Sequence, residues 1–140
     1  MSNKLNPIIN TYNIHDVTLK VYDSVKYLGV TIDSKLTWKD HTSNVYNKAN
    51  FMMSFLERNF YRCPPHVKEQ CYNALVRPIL EYGCTAWDPY RNYQIELLEK
   101  INKRAARFVT GNYKREHGNT KKNMEALGWP PLSERRCKQK

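Results

Sequence analysis

The chain has 140 residues, 41% hydrophobic and 12% aromatic, with 23 Lys and Arg against 13 Asp and Glu for a formal net charge of +10. That length buries one modest core and excludes a second full domain, and the apolar and aromatic content excludes disorder over most of the chain. No run approaches the roughly 20 apolar residues that cross a bilayer, and Met1–Asn10 lacks a charged stretch followed by an apolar one. The expectation is an intracellular protein, in nucleus or cytoplasm, with no membrane partner.

Residues 1–10 read as a disordered N-terminus. Tyr12-Asn13-Ile14, Val17 to Val21 and Val25 to Ile32 read as strands separated by the polar pairs His15-Asp16 and Asp23-Ser24. These gaps predict tight antiparallel turns, hence a small β-meander over 11–36 with Val17, Leu19 and Val21 on one face. So small a sheet needs a covering layer to be stable in water.

The period then changes. Trp38, His41, Val45, Ala49, Met52, Leu56 and Phe60 recur every three or four residues, which predicts a helix over about 38–60. Pro64-Pro65 interrupts it, and a second helix starts near Pro65, where a proline sacrifices no intrahelical hydrogen bond. Its inward residues would be Val67, Cys71, Ala74 and Leu75, until Pro78 kinks or ends it. Asp88-Pro89-Tyr90 reads as a turn, a third helix spans about 92–110, and Gly111-Asn112 is its C-cap signal. Asn119 to Leu127 reads as a short helix, and Gly128-Trp129-Pro130-Pro131 breaks it. Residues 128–140 are then a basic tail with little to bury. The fold class is α+β and helix-dominated, a small antiparallel β-meander followed by a helical bundle over 37–127.

Charge is polarised along this layout. Lys100 to Lys140 holds twelve basic residues against three Glu, a net +9, whereas the preceding 99 residues are nearly neutral with eleven basic and ten acidic. A directed positive field favours a polyanionic partner, nucleic acid foremost. On the third helix Leu98, Ile101, Ala105 and Phe108 share one face, and Lys100, Lys103, Arg104 and Arg107 share the flank beside it. No carboxylate lies between Lys100 and Arg115, whereas a merely solvated flank interleaves acidic partners at i±4. Lys114 and Arg115 follow the helix end, where cations also offset the helix dipole. Contacts from these residues would go to phosphates and carry no base specificity. Tyr113 and Tyr90 are placed to stack on bases, although ten tyrosines make any one of them a weak pointer.

Four cysteines, Cys63, Cys71, Cys84 and Cys137, read as buried thiols of a reducing compartment. A metal alternative is C-x2-H-x4-C over Cys63, His66 and Cys71, but the nearest fourth ligand, Cys84, has no paired partner. A nucleophilic Cys63 beside His66 lacks a group to orient the pair. No metal-ligating or catalytic residue and no cofactor are assigned to this chain.

Several ordered stretches together carry a family resemblance. They are Lys26-Tyr27-Leu28-Gly29-Val30-Thr31-Ile32; Leu36-Thr37-Trp38 with His41; Leu56 with Arg58-Asn59; and Tyr72 with Leu75-Val76-Arg77-Pro78. Leu80-Glu81-Tyr82, Trp87-Asp88-Pro89, Arg104 to Val109, Leu127-Gly128-Trp129 and Leu132 with Glu134-Arg135-Arg136 complete the set. Over roughly residues 12–136 this combination resembles the reverse transcriptases of non-LTR (LINE-type) retrotransposons, nearest the jockey-like group. The resemblance implies the end of the palm with the primer-grip hairpin, followed by the helical thumb that closes over an RNA–DNA or DNA template–primer. Tyr27, Leu28 and Gly29 would then be the tip of the grip. Gly29 lacks a Cβ and so permits close approach of another backbone; an ordinary strand bulge is the alternative, and the two readings are compatible.

The family's palm holds its two metal ions, Mg2+ in the full-length enzyme, on an Asp-Asp pair and an earlier Asp. This chain has no adjacent Asp pair: Asp16, Asp23, Asp33, Asp40 and Asp88 are isolated at expected turns or helix starts. The resemblance therefore implies a fragment whose upstream palm and fingers are missing, inactive alone, with template–primer binding as its retained role. The competing expectation is a non-enzymatic helical module whose basic tail docks an acidic protein.

Overall fold

The computed structural model describes residues 11–15, 17–114 and 118–139, so the expected disordered N-terminus (1–10) and the positions of Asp16 and Arg115 lie outside the described residues. Alternating sequence and polar gaps produce two short antiparallel hairpins. β1 (Asn13–Ile14) pairs with β2 (Val17–Thr18), and β3 (Ser24–Tyr27) pairs with β4 (Val30–Asp33). The hairpins are separate two-stranded sheets and do not join into one meander. Val17, Leu19 and Val21, expected on one covered face, are all exposed: β2 stops after two residues, and among the described residues no helix buries them.

Among the described residues six helices follow, giving the expected α+β arrangement with helices dominant: α1 (Lys39–Asn59), α2 (Pro65–Leu75), α3 (Arg77–Glu81), α4 (Asn92–Thr110), α5 (Asn119–Ala126) and α6 (Leu132–Gln139). Among the described residues no helix is long and apolar enough to cross a membrane. α4 is the centre of the bundle and packs against α1, α2, α5 and α6. Leu98, Ile101, Ala105 and Phe108 are buried as their spacing predicts, together with Ala106 and Val109. Gly111 ends the helix at φ 67, the left-handed cap position that glycine takes without a Cβ clash.

α1 buries His41, Thr42, Val45, Ala49, Met53 and Leu56, so Met53 takes the place expected of Met52, which is half-buried. The larger departure is α2. Ala74 and Leu75 are exposed and Tyr72 is its fully buried residue, continued by Val76. A tyrosine is tolerated in this core because its hydroxyl donates to Asn102 Oδ1 at 3.0 Å and its ring stacks on Trp129 at 4.7 Å. Arg77 lies over both rings, 5.3 and 5.2 Å from their centroids. Burial drives the Tyr72 hydroxyl well above the usual phenol range, so it is a permanent donor.

The expected basic tail is instead a docked helix. Asn102 Nδ2 donates to Glu99 Oε2 at 3.4 Å, and Glu99 Oε1 accepts from the backbone N–H of Ser133 at 3.2 Å, satisfying an otherwise unpaired donor in the first turn of α6. Leu132 and Arg136 are fully buried. Arg135 Nε donates to Glu81 Oε1 at 2.6 Å, Arg136 Nε to Asp88 Oδ1 at 3.0 Å, and the Cys84 thiol to Gln139 Oε1 at 2.9 Å. These partners lie 48 to 55 residues away in sequence, which is why residues 128–140 read as an unpaired tail.

The Arg136 side chain is wholly buried and, among the described residues, both terminal guanidinium nitrogens lack a hydrogen-bond partner, so the ion pair with Asp88 compensates much of its charge. Asp88→Ala is expected to lower unfolding free energy by about 3 kcal/mol, since it strands a buried charge. Lys138→Ala removes only an exposed i,i+4 pair with Glu134 and should change stability by less than about 0.5 kcal/mol. Urea denaturation of the two variants measures both; equal losses would contradict the docked-helix account.

Candidate nucleic-acid interface

The hairpin tip is built by a two-residue turn. Tyr27 pairs with Val30, leaving Leu28 and Gly29 at φ 46 and 81, the double positive-φ geometry of a type I′ hairpin. Glycine adopts it freely, whereas Leu28 carries about 1 kcal/mol of backbone strain. A Cβ on Gly29 would stand 3.4 Å from the Tyr82 ring, and the Tyr82 hydroxyl donates to Leu28 O at 3.1 Å. Gly29 is therefore favoured by the positive φ of the turn, with the Tyr82 ring at ordinary contact distance, and the direct pairing of Tyr27 with Val30 leaves no strand bulge there. Tyr27 and Leu28 project into solvent, 65% and 74% exposed.

Beneath the tip, three groups anchor the hairpin to the helices. The backbone N–H of Thr31 donates to His41 Nδ1 at 3.2 Å, which places the proton of neutral His41 on Nε2. The imidazole stands edge-on to Trp87 at 4.4 Å, and Trp87 Nε1 donates to Tyr82 O at 2.8 Å. Asp33 then shapes the link into α1. Its carboxylate accepts from the N–H groups of Lys35, Thr37 and Trp38 and from the Thr37 hydroxyl, at 2.9 to 3.1 Å. Burial by itself would raise its pKa, but the hydrogen bonds led by Thr37 win and hold it below the usual carboxylate range. Two open cavities of about 310 and 260 Å³ lie between hairpin and helices, lined by Lys26, Gly29, His41, Lys48 and Tyr82 among others.

The basic flank divides. Lys100, Lys103 and Lys114 are exposed and Arg107 is half-exposed, and among the described residues no carboxylate pairs with any of them. Arg104 turns instead onto α1. Its Nε donates to Glu57 Oε1 at 2.9 Å, one terminal nitrogen to Glu57 Oε2 and to Ser54 Oγ at 3.1 Å, and the other to Asn50 Oδ1. The missing carboxylate is thus supplied from 47 residues upstream, and Arg104 is a bidentate strut between α1 and α4. Arg115 lies outside the described residues.

The two groups of expected site residues are not on one face. Along α1, His41, Asn44 and Lys48 line the cavities at the hairpin, whereas Asn50, Ser54 and Glu57 hold Arg104. At 100° per residue these sets are roughly 150° apart round the helix, so α1 stands between them. Tyr27, Leu28 and Gly29 lie on one side of α1, and Lys100, Lys103 and Arg107 lie on α4 apart from them. Sequence reasoning missed Lys26, Lys48 and Tyr82. The 41-44-48 spacing was available as a signal, but only tertiary packing turns it into a cavity wall.

Among the described residues no cluster of three or more His, Cys, Asp or Glu is arranged to hold a metal ion. Cys63 and Cys71 are half-buried, Cys84 is buried and Cys137 is exposed, so the expectation of buried thiols holds fully only at Cys84 and fails at Cys137 on α6. Burial pushes the Cys84 thiol up, further from a reactive thiolate.

Comparison with known proteins adds two relatives. Over 101 residues, 70% of this chain and 11% of the relative, the sequence is 25% identical to a probable RNA-directed DNA polymerase from transposon X-element of Drosophila melanogaster. Part of the chain is similar to a reverse transcriptase. Over 79 residues, 56% of this chain and 40% of the relative, it is 32% identical to an uncharacterized protein of Caenorhabditis elegans. The chain thus spans well under two thirds of either relative. No family model and no solved structure matches it.

Burial, and then the nearby Lys48 charge, hold His41 below the ordinary histidine pKa. A depressed histidine contributes stability that is complete above about pH 6.5, the unfolded value, and is lost as pH falls through the folded one. Protonation also removes the acceptor for Thr31. Urea stability should therefore drop between pH 7.5 and pH 5, and His41→Gln should flatten that dependence; an identical slope in the variant would remove His41 as its source.

Proposed function

We propose that this chain is the end of the palm and the thumb of a non-LTR retrotransposon reverse transcriptase, of the jockey-like type, and that its own role is to hold template–primer. The observation that carries the binding role is the ridge Lys100, Lys103 and Arg107, three cationic heads on one helix flank with no carboxylate pairing among the described residues. Such a ridge of like charge attracts a polyanion, and its contacts would go to phosphates without reading bases. The similarity to the transposon polymerase supports the wider assignment.

In this reading Tyr27, Leu28 and Gly29 are the primer-grip tip, presented by the Tyr82 clasp. Polymerisation would need Mg2+ held by carboxylates of an upstream palm, because no adjacent Asp pair occurs in this chain. The exposed side chains of Ile14, Val17, Leu19, Val21 and Val25 suit coverage by that same upstream region. The competing reading, a basic tail that docks an acidic protein, loses two of its cations to Glu81 and Asp88 inside the fold.

The test is anisotropy titration of a blunt RNA–DNA hybrid and a blunt DNA duplex over a salt series. Wild type should bind both at low salt, and Lys100→Ala/Lys103→Ala/Arg107→Ala should weaken binding on all sequences alike. The log–log salt slope should shrink by about 0.9 for each duplex phosphate that the variant no longer neutralises. Failure of wild type to retain either duplex at low salt, or a sequence-selective weakening in the variant, would overturn the binding role.

A further inference from the structure

A second feature on α4 lies beyond the ridge, at the C-terminal end of the α1–α4 pair. The two helices run parallel: Gln94 at the start of α4 donates to Thr37 O just before α1, and Arg104 grips Asn50 to Glu57. Beyond that grip α1 ends at Asn59, two residues past Glu57, and α4 ends at Thr110, six residues past Arg104. The chain then leaves α1 through Tyr61 and α4 through Tyr113, and both rings are largely in solvent, 67% and 52% exposed. Lys68, in the first turn of α2, places its ammonium 5.8 Å from the Tyr61 ring centroid and 5.1 Å from that of Phe108. Arg107 stands one turn before Gly111 on α4, and Lys114 follows Tyr113. Partial burial and the neighbouring Glu57 and Tyr61 raise the Tyr113 hydroxyl while Arg107 and Arg104 oppose them, which is consistent with one shared cluster. The nearby carboxylate, Glu57, is already neutralised by Arg104.

Two exposed aromatic faces with cations beside them have the composition of a stacking platform, in which bases lie on rings and phosphates meet Lys and Arg. The interior of a double helix cannot use such faces, because its bases are stacked on one another. The geometry points to a binding site for unpaired nucleotides of a single strand at the joint end of α1 and α4, with Tyr61 and Tyr113 stacking bases and Lys68, Arg107 and Lys114 contacting phosphates. This rests on the reading that the chain holds nucleic acid, and it adds a single-stranded segment to the duplex assigned to the ridge.

The experiment uses the full chain and three labelled DNA duplexes: blunt, with an eight-nucleotide single-stranded overhang, and with the same overhang made abasic. Wild type should bind the base-bearing overhang about tenfold or more tighter than the abasic one. Tyr61→Ala/Tyr113→Ala should erase that gain with blunt-duplex affinity unchanged, and Tyr61→Phe/Tyr113→Phe should keep it, since the ring is retained. Equal affinity of wild type for base-bearing and abasic overhangs overturns the site without recourse to any variant. So does an alanine variant, folded by circular dichroism, that keeps the gain, or competition by poly-glutamate as effective as that of an unlabelled single strand. Blunt-duplex binding without the overhang gain sinks this site alone, whereas overhang binding without blunt-duplex binding sinks the duplex role and leaves the site standing.

Discussion

The burial of α4 governs this molecule. A helix packed by four others has little surface left for solvent, and long cationic side chains cannot follow an apolar face into a core without a partner. Leu98, Ile101, Ala105 and Phe108 fill the interior, and Gln94, Glu99 and Asn102 enter it. Lys100, Lys103 and Arg107 collect on the remaining ridge because that is where α4 meets water. Interior packing and surface charge are thus two consequences of one helix orientation.

Polar groups inside the bundle fix that orientation more narrowly than apolar contact could. The run from Tyr72 through Asn102 and Glu99 to the backbone of Ser133 ties α2, α4 and α6 into one register, since each member is a directional donor or acceptor. Arg104 does the same for α1 and α4, and Arg136 with Asp88 for α6 and the turn before α4. Many residues that carried the resemblance to reverse transcriptases are these structural ones: Tyr72, Arg77, Trp87, Asp88, Trp129, Arg135 and Arg136. Their ordered spacing is explained by long-range pairs inside the bundle, which makes the resemblance a statement about fold before it is one about activity.

The hairpin β3–β4 is held differently, by a few point contacts at its edge and tip. His41, Trp87 and Tyr82 clamp it to the helices, while Tyr27 and Leu28 remain outside. Leu28 is kept at positive φ by the two-residue turn and the Tyr82 hydrogen bond, so the tip is pre-shaped with its side chains uncommitted. With α1 between them, tip and ridge lie on different sides of the bundle.

Local periodicity alone determined the helices of α1 and α4, the prolines and glycines that bound them, the inward face of α4 and the polarised charge, because each depends on neighbours within one or two turns. Which tyrosine enters the core, that residues 132–139 form a docked helix, and that Arg104 is a strut while Lys103 stays solvated were decided only by the tertiary structure. In each case the deciding partner lies 30 or more residues away: Asn102 for Tyr72, Glu57 for Arg104, Asp88 for Arg136. A hydrogen bond or ion pair across that distance leaves no period in the sequence, and it reverses the preference of a side chain for water that composition alone would assign.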